Sequence, residues 1–323
     1  MWVYRLRMYL LLIVMFAIVY AIVSMVAYGF FGVTDFNFYL ILSLVMMVLQ
    51  YMIGPKLVEW SMRVRYIGAG EYPDLKNMVE QLSRQANIPT PRIGIAQIAL
   101  PNAFAFGRWK SDGRVCVTEG ILRLLKPEEL RAVLGHEITH LKNRDVLIIT
   151  LLSVIPMILY RIFWSTMFYG NRRRSDSGGN YTALIGIAAF IFYFITNLLV
   201  LYASRLREYF ADRGSIELGN PAHNLATALY KLVYGSARMP KEAIRETEGL
   251  KAFFINDPSR ALTELRELKD LDLDRSGTID TGELMNLRSK AVKLSFADKL
   301  MEVLSTHPNM LKRIKQLSSY ERA

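Results

Sequence analysis

Long apolar runs alternate with polar stretches along the chain, and four of these runs form two closely spaced pairs. The first pair is the uncharged run 9–31 with the run 36–53, and the second is 146–169 with 182–203. About 20 apolar residues in a helix cross the ~30 Å hydrocarbon layer of a membrane, so the pattern predicts two helical membrane hairpins. A cleaved signal peptide does not account for the run 9–31, because the run is long and a second apolar run follows directly.

The polar stretch 55–145 has the mixed pattern of an α/β segment. Helical spacing of apolar residues predicts a helix over 74–86. Short runs of β-branched and apolar residues predict three strands, at 91–99, 103–107 and 114–120. The pair Asp112-Gly113 predicts a tight turn between the last two strands. Pro127, followed by two glutamates, predicts the start of another helix.

After the second hairpin the pattern continues as a helix over 204–218 and stays polar and mostly helical to the C-terminus. The predicted fold class is therefore mostly α with a small β-sheet, in an integral membrane protein. The predicted organisation has four parts: a membrane hairpin (1–54), the first half of a polar domain (55–145), a second hairpin (146–203) and the second half of that domain (204–323).

Composition and charge refine this picture. The 323 residues are 52% hydrophobic with a net charge of +11, and no interleaving of basic and aromatic residues suggests a nucleic-acid partner. Lys and Arg cluster before the first run and in 55–145, which predicts a cytoplasmic position for both. Arg161 and the arginines of 171–180 leave open whether the second hairpin spans fully. The single cysteine, Cys116, excludes an intrachain disulfide and predicts a small apolar strand residue.

The segment 133–146, VLGHEITHLKNRDV, places two histidines four residues apart with a glutamate directly after the first. Positions i and i+4 share a face of a helix, so His136 and His140 can bind one metal ion. Zn²⁺ accepts such nitrogens and, in a catalytic site, keeps one coordination position for water. Glu137 would then be the base that takes a proton from this water. The alternative is a surface helix with two solvated histidines.

A catalytic zinc ion needs a third protein ligand, and the sequence offers a carboxylate after the second hairpin. Glu208 lies in the run REYFADR, with Asp212 one turn later on the same helix face. Because a hairpin returns the chain to the side that it left, Glu208 can reach the two histidines. Asp212 is placed to orient a ligating histidine, and Asp145 is a weaker candidate for the same role.

Other classes of membrane protein fit the sequence less well. An intramembrane protease of the site-2 type carries its HExxH motif inside a spanning helix, but the helix here includes Lys126, Arg131 and Lys142. A receptor or transporter needs more membrane segments. The remaining alternative is a catalytically inactive, calcium-responsive metal-binding membrane scaffold. Glu137 argues against it, because a structural zinc site has no open position and no use for a neighbouring carboxylate.

The loop DLDRSGTIDTGE (272–283) matches the twelve-residue pattern of an EF-hand calcium site, with Gly277 at the sharp turn. The six ligand positions are Asp272, Asp274, Ser276, Thr278 through its carbonyl oxygen, Asp280 and the bidentate Glu283. The flanking segments 259–271 and 281–294 predict helices. The pattern thus predicts Ca²⁺ as a second metal, from a single loop where EF-hands usually pair. The alternative is a solvated acidic turn between two helices.

These motifs together resemble the HtpX branch of the family that includes the CAAX prenyl endopeptidases, which are integral-membrane zinc metalloproteases. The likeness covers nearly the whole chain and rests on NAFAFG (102–107), VCVTEGIL (115–122), HEITHLKNRD (136–145), EYFAD (208–212) and STHPNMLKRI (305–314). The resemblance implies a cytoplasmic protease domain of the gluzincin type. In it His136, His140 and Glu208 would be the zinc ligands and Glu137 the general base.

The resemblance also implies roles for three further residues. His307 and Arg313 would face the zinc ion and stabilise the oxyanion of the reaction. The alternative for His307 is a place at the start of a helix, with Pro308 as the first helical residue. Asn102 would lie near the cleft, beside an edge strand that holds the substrate by β-augmentation. The alternative for this strand is an ordinary core strand.

The function implied is that of a prokaryotic inner-membrane protease with one zinc ion per chain. It would remove misfolded or damaged membrane proteins at the cytoplasmic face, as in a stress response. Its partners would be polypeptide substrates and the lipid bilayer, and self-cleavage is plausible. The acidic loop departs from the family's pattern. We hypothesise that calcium orders the segment leading to His307 and so adjusts activity.

Overall fold

The computed structural model describes residues 48, 49, 51–145, 147–149, 152, 155, 156, 158–160, 162, 163, 179–240, 242, 254–290, 292 and 295–321. The predicted membrane run 9–31, most of 36–53 and much of 146–169 lie outside these residues, as does Arg161. Two compact units are present: residues 1–53 with 147–204, and residues 54–146 with 205–323.

A small mixed sheet lies in the second unit. Its four strands are β1 (Val64–Tyr66), β2 (Arg92–Ala96), β3 (Ala103–Phe106) and β4 (Arg114–Thr118), in the order β1-β2-β4-β3. Strands β2 and β4 are parallel, and the two outer pairs are antiparallel. The three predicted strands are present but shorter than predicted, and β1 was not predicted. Cys116 is fully buried in β4, in agreement with the prediction of a small apolar strand residue.

The predicted tight turn at Asp112-Gly113 is wrong. A 3₁₀ helix (Lys110–Asp112) connects β3 to β4, and Gly113 has φ −68°, whereas the tight turns that favour Asp-Gly need positive φ. The Asp112 carboxylate is instead held between Arg108 Nη1 at 3.1 Å and Arg114 Nη1 at 3.0 Å. These ion pairs with two arginines close in the sequence hold a conformation that the dipeptide alone did not indicate.

Nine labelled helices account for most of the remaining described residues. They are α1 (Pro73–Ala86), α2 (Glu119–Leu124), α3 (Pro127–Asn143), α4 (Gly179–Glu217), α5 (Ala222–Ala237), α6 (Ala261–Leu268), α7 (Thr281–Ser289), α8 (Phe296–Val303) and α9 (Met310–Ser318). The helices predicted around the acidic loop are present as α6 and α7, both shorter than predicted. The described fold is thus mostly helical with a small sheet.

Helix α3, which carries the HExxH motif, begins where the sequence predicted. Pro127 is its first residue, and the Lys126 N–H donates to the Glu129 carboxylate at 2.9 Å, so the helix start is capped. Leu134 and Ile138 are fully buried in the main core. The helix is therefore the central element of the second unit.

Helix α4 is the one element of the described chain that is long and apolar enough to cross a membrane. The candidate span is Leu184–Glu217, and the mean hydropathy of its most apolar 18 residues is 2.4. Its apolar side chains are exposed at Leu184, Ile191 and Phe194. Beyond residue 203 the helix becomes polar and continues without a break to Glu217.

Candidate active site

His136, His140 and Glu208 meet at one point, as predicted. The His136 and His140 Nε2 atoms are 3.1 Å apart, and each lies 3.6 Å from a Glu208 carboxylate oxygen. Around a tetrahedral ion with bonds of ~2.0–2.1 Å, ligand atoms are separated by about 3.3–3.4 Å. The separations of 3.1 and 3.6 Å between these ligand atoms lie on either side of this value. The three residues therefore fit a zinc ion, and among the described residues no further His, Cys, Asp or Glu joins the group.

Two glycines allow the ligand-bearing helices α3 and α4 to cross closely. A Cβ atom at Gly214 would lie 2.3 Å from Thr139 Cγ2, and one at Gly135 would lie 2.4 Å from Asn220 Nδ2. At the same crossing the Ser215 hydroxyl donates to the Ala132 carbonyl oxygen at 2.6 Å. Glycines inside helical patterns are the sequence signal for such close approach.

Buried carboxylates contact the outer nitrogens of both histidines. Asp212 Oδ1 lies 2.9 Å from His136 Nδ1, and Asp145 Oδ2 lies 2.6 Å from His140 Nδ1. A carboxylate at Nδ1 favours the tautomer that carries its proton there and leaves Nε2 free for a metal. Asp145 is hydrogen-bonded to His140 in this way, whereas Asp212 lies close to His136 Nδ1 without forming a hydrogen bond with it.

Arg313 is fully buried among the acidic groups of the site. Its Nε and Nη2 donate to the two Asp212 oxygens at 2.9 and 2.7 Å. Its Nη1 donates to the Ile255 carbonyl oxygen at 2.8 Å and lies 3.1 Å from Glu208 Oε2. The guanidinium thus offsets part of the negative charge of two carboxylates that otherwise would be costly to bury.

His307 also reaches the site, with Nδ1 3.5 Å from Glu208 Oε2. It lies before α9, whose N-cap is Asn309 and whose first residue is Met310. Pro308 therefore precedes the helix, unlike in the alternative considered for this segment. The structure brings His307 and Arg313 to the same zinc ligand, Glu208.

Burial and charge change the proton affinities at the site. Burial raises the pKa of Glu137, against the lowering effect of the two histidines. Burial alone would lower the pKa of His136, but contacts with Asp212 and Glu208 outweigh it and raise the pKa to about 9. A proton on His136 therefore competes with a metal ion for the same nitrogen.

Asn102 is fully buried beside the edge strand β3. Its backbone N–H donates to the Thr118 hydroxyl at 2.9 Å, and its side-chain oxygen accepts from the Ile255 N–H at 3.2 Å. Ile255 is thus held by Asn102 through its N–H and by Arg313 through its carbonyl oxygen. This segment joins the sheet to the buried arginine.

Two arginines of α4 near the site were not predicted. Arg207 Nε lies 3.3 Å from Asp145 Oδ2, the carboxylate that contacts His140. Arg205 Nη1 donates to the carbonyl oxygens of Glu302, Val303 and Ser305 at 3.0, 2.8 and 2.7 Å. The signal available in the sequence was the place of both arginines within one turn of Glu208.

The acidic loop between α6 and α7 brings Asp272, Asp274 and Glu283 together with carboxylate oxygens within 4.8 Å of one another. The Asp272 oxygens accept from the Ser276 and Gly277 N–H groups, each at 2.9 Å. Gly277 has the positive φ, 78°, that the sharp turn requires. The loop is thus folded around its own carboxylates.

The site combines two histidines in HExxH spacing, a carboxylate from a second helix and a buried neighbouring glutamate. This combination defines a zinc metallopeptidase. The model of peptidase family M48 matches residues 70–321, and the chain belongs to this family.

Relatives agree. The chain is 53% identical over 232 residues to a protease HtpX homolog of Methanothermobacter thermautotrophicus, covering 72% of this chain and 86% of that protein. It is 35% identical over 280 residues to protease HtpX homolog 2 of Methanosarcina acetivorans, covering 85% and 82%. The crystal structure of S. mikatae Ste24p matches with a TM-score of 0.52 at 16% identity, covering 98% of this chain and 66% of that one, which shows a shared fold.

Proposed function

We propose that this metallopeptidase is anchored in a membrane and cleaves misfolded or damaged membrane proteins at the cytoplasmic face. One observation carries the proposal: the zinc ligand Glu208 and the apolar run 182–203 lie on one continuous helix, α4. Glu208 is five residues past that run, or about 8 Å at 1.5 Å per residue. A site so close to the apolar segment favours substrates that are themselves at the membrane.

The proposed orientation follows from charge and aromatic residues. Lys and Arg before the first apolar run and in 55–145 favour a cytoplasmic position for the protease domain. Trp60, shortly after the run 36–53, is 81% exposed, which is typical of a side chain at a membrane–water interface. We therefore assign the protein to the inner, or plasma, membrane of a prokaryote.

The proposed chemistry is hydrolysis by an activated water. His136, His140 and Glu208 would hold the zinc ion, which when bound would polarise the scissile carbonyl and activate water at neutral pH. Glu137 takes the proton from the attacking water and later delivers it to the leaving amine. The raised pKa of Glu137 favours this second step, because a buried carboxyl group holds the proton until the amine departs.

For the residues around the ligands we propose a division of roles. His307, beside Glu208, donates to the oxygen of the scissile carbonyl as negative charge develops there. Arg313 has its nitrogens on Asp212, Ile255 and Glu208, so it positions the ligands. His307→Gln should therefore lower kcat with little loss of zinc, whereas Arg313→Lys should also weaken zinc binding. Equal zinc loss in both variants would contradict this division.

The edge strand β3 is the proposed contact for the substrate backbone. It pairs with β4 on one side, and its other side is the edge of the sheet. An extended peptide can add to such an edge through main-chain hydrogen bonds. We propose that Asn102 serves this strand indirectly, since it is buried and holds β3 between Thr118 and Ile255.

The experiment that tests the function compares the wild type with Glu137→Ala, purified in detergent with added zinc. Zinc content and cleavage of casein and of a membrane-protein substrate are measured. We expect both proteins to bind about one zinc ion per chain and only the wild type to cleave, with self-cleavage lost in the variant. If both retain zinc and neither cleaves, the metal is structural and the alternative of an inactive, calcium-responsive scaffold is correct.

As a second candidate function, we propose that the acidic loop binds Ca²⁺, orders the segment leading to His307 and so adjusts activity. The observation that favours it is Thr227 of α5. Its hydroxyl donates to the Ile279 carbonyl oxygen and accepts from the Ile279 N–H, both at 2.9 Å. Ile279 is the residue that a partner loop holds in paired EF-hands, so Thr227 supplies from a helix the support that a second loop usually gives.

Calcium binding is tested by thermal unfolding of the wild type and Glu283→Gln at 0 and 10 mM CaCl₂. For a site with a Kd of ~0.1–1 mM, 10 mM calcium stabilises the wild type by about 1.4–2.7 kcal/mol. Magnesium chloride is the control for ionic strength. An equal response of both proteins, or unchanged proteolysis of 272–283 and unchanged peptidase activity, would contradict the regulatory role.

A further inference from the structure

Helix α8 (Phe296–Val303) has its apolar and polar sides reversed relative to a helix on a water-soluble surface. Phe296 is 82% exposed and Leu300 52% exposed, and Val303 is exposed beside them. At about 100° per residue these three positions fall within an arc of roughly 60°. Glu302, on the other side of the helix, is buried.

The protein holds α8 by polar contacts on its inner side. The Glu302 carboxylate pairs with Lys312 Nζ and accepts from the Asn309 N–H at 3.3 Å. Arg205 Nη1 donates to three carbonyl oxygens at the C-terminal end of the helix, as described above. The positive charge of Arg205 at the C-terminal end also interacts favourably with the helix dipole of α8. These contacts fix the helix with its apolar stripe pointing away from the protein.

The anchor residue places α8 at the end of the apolar part of α4. Arg205 lies two residues past the run 182–203, a rise of about 3 Å along the helix. Arg205 is hydrogen-bonded to carbonyl groups at the end of α8. The exposed stripe of α8 is thus held by a residue that follows the apolar run within one helical turn.

We propose that α8 is an interfacial helix that lies in the surface of the lipid bilayer. Phe296, Leu300 and Val303 enter the boundary between headgroups and acyl chains, and the exposed Lys299 beside them faces the phosphates. This inference rests on the membrane anchoring in the proposed function.

The lipid contact has a route to the active site. Helix α8 leads through Ser305, whose hydroxyl accepts from the His307 N–H at 3.2 Å, to the histidine beside Glu208. The bilayer surface thereby fixes one end of the segment that carries His307.

The inference is tested with single nitroxide labels on the full-length protein in liposomes. Cys116→Ala removes the only native cysteine. Labels are attached in Phe296→Cys, Leu300→Cys and Lys299→Cys, and in Phe194→Cys of α4 as the reference for lipid. Collision rates with oxygen and with a water-soluble nickel chelate are measured. Every labelled protein is first checked for zinc content and casein cleavage.

We expect positions 296 and 300 to resemble position 194, with an oxygen-to-nickel collision ratio several-fold above that at 299. Nickel access at 296 and 300 equal to that at 299, with 194 still lipid-exposed, overturns the inference and leaves the membrane anchor intact. Nickel access at 194 as well overturns the anchor and the inference together.

Two other outcomes also overturn the inference by identifying a different occupant of the stripe. Spin–spin broadening at 296 and 300 that disappears on dilution with unlabelled protein shows a second copy of the chain. Protection that appears only when casein is added shows a substrate surface.

Discussion

The zinc site and the acidic loop both present metal-binding side chains in a known spacing, but they are built differently. The zinc ligands come from two helices, and their outer atoms contact the buried Asp212, Asp145 and Arg313. The loop ligands lie within twelve consecutive residues and accept hydrogen bonds from the loop's own N–H groups. The zinc site thus depends on the tertiary structure, whereas the loop is mostly local and needs Thr227 from outside.

The largest expected effect separates the two sites directly. Glu208→Gln removes the anionic ligand and should reduce zinc content from about one ion per chain to near zero, with loss of casein cleavage. Glu283→Gln, the matched change in the acidic loop, should retain zinc. Elemental analysis of both purified variants gives the result. Full zinc content in Glu208→Gln would contradict the ligand assignment.

The helix crossing that builds the zinc site should tolerate no added methyl group. Gly214→Ala places a Cβ atom 2.3 Å from Thr139 Cγ2, so α3 and α4 must separate. We expect a loss of about 3 kcal/mol in the free energy of unfolding and weaker zinc binding, measured by thermal unfolding and chelator competition. Gly219→Ala is the control for backbone strain without a steric clash, because Gly219 has φ +82° and open space around an added Cβ atom. Unchanged zinc affinity in Gly214→Ala would show that the crossing does not set the ligand geometry.

A buried carboxyl group near the acidic loop should make stability depend on pH. Burial raises the pKa of Glu264 on α6 from the usual 4.5 to about 7, although Arg260 lowers it. The unfolded chain releases this proton near pH 4.5, so the wild type loses stability as pH rises towards 7 and the cost persists above it. Glu264→Gln should therefore gain about 2 kcal/mol above pH 7 and little at pH 4. Thermal unfolding across this range measures it, and a gain independent of pH would contradict it.

The smallest expected effect concerns the external support of the loop. Thr227→Val keeps the shape of the side chain but removes both hydrogen bonds to Ile279. We expect a loss of about 1–2 kcal/mol, because a buried N–H and carbonyl group lose their partner, and a weaker response to calcium. Thr227→Ser retains the hydroxyl and is the control. If valine and serine behave alike, the hydroxyl does not support the loop.

The sequence was sufficient for those parts of the fold and site that depend on local spacing. The start of α3 follows from Pro127 and Glu129, and the pairing of His136 with His140 follows from helix periodicity. Glu208 could be found because a hairpin must return the chain to the same side. Asp145 lies close to His140 in the sequence, so its contact is almost local.

Long-range contacts could not be predicted in the same way. Arg313 meets Asp212 across 101 positions. The predicted turn at Asp112-Gly113 failed for a local reason, because Arg108 and Arg114 hold the Asp112 carboxylate. The strand Val64–Tyr66 has three residues, too few for an alternating pattern. For Arg205 the sequence offered only its place near Glu208, since its partners are backbone carbonyl groups whose position only the folded chain defines.

Helix α4 is held most closely by α3 at the crossing near Gly214. Bilayers of different thickness change the tilt of a spanning helix. Any tilt about Gly214 shifts Glu208, six residues nearer the apolar end, while α3 keeps His136 and His140 in place. Displacements near 1 Å are enough to impair catalysis about a hundredfold. In the membrane-anchored enzyme that we propose, acyl-chain length would thus alter metal coordination, and the composition of the membrane would act on the enzyme without any lipid entering its site.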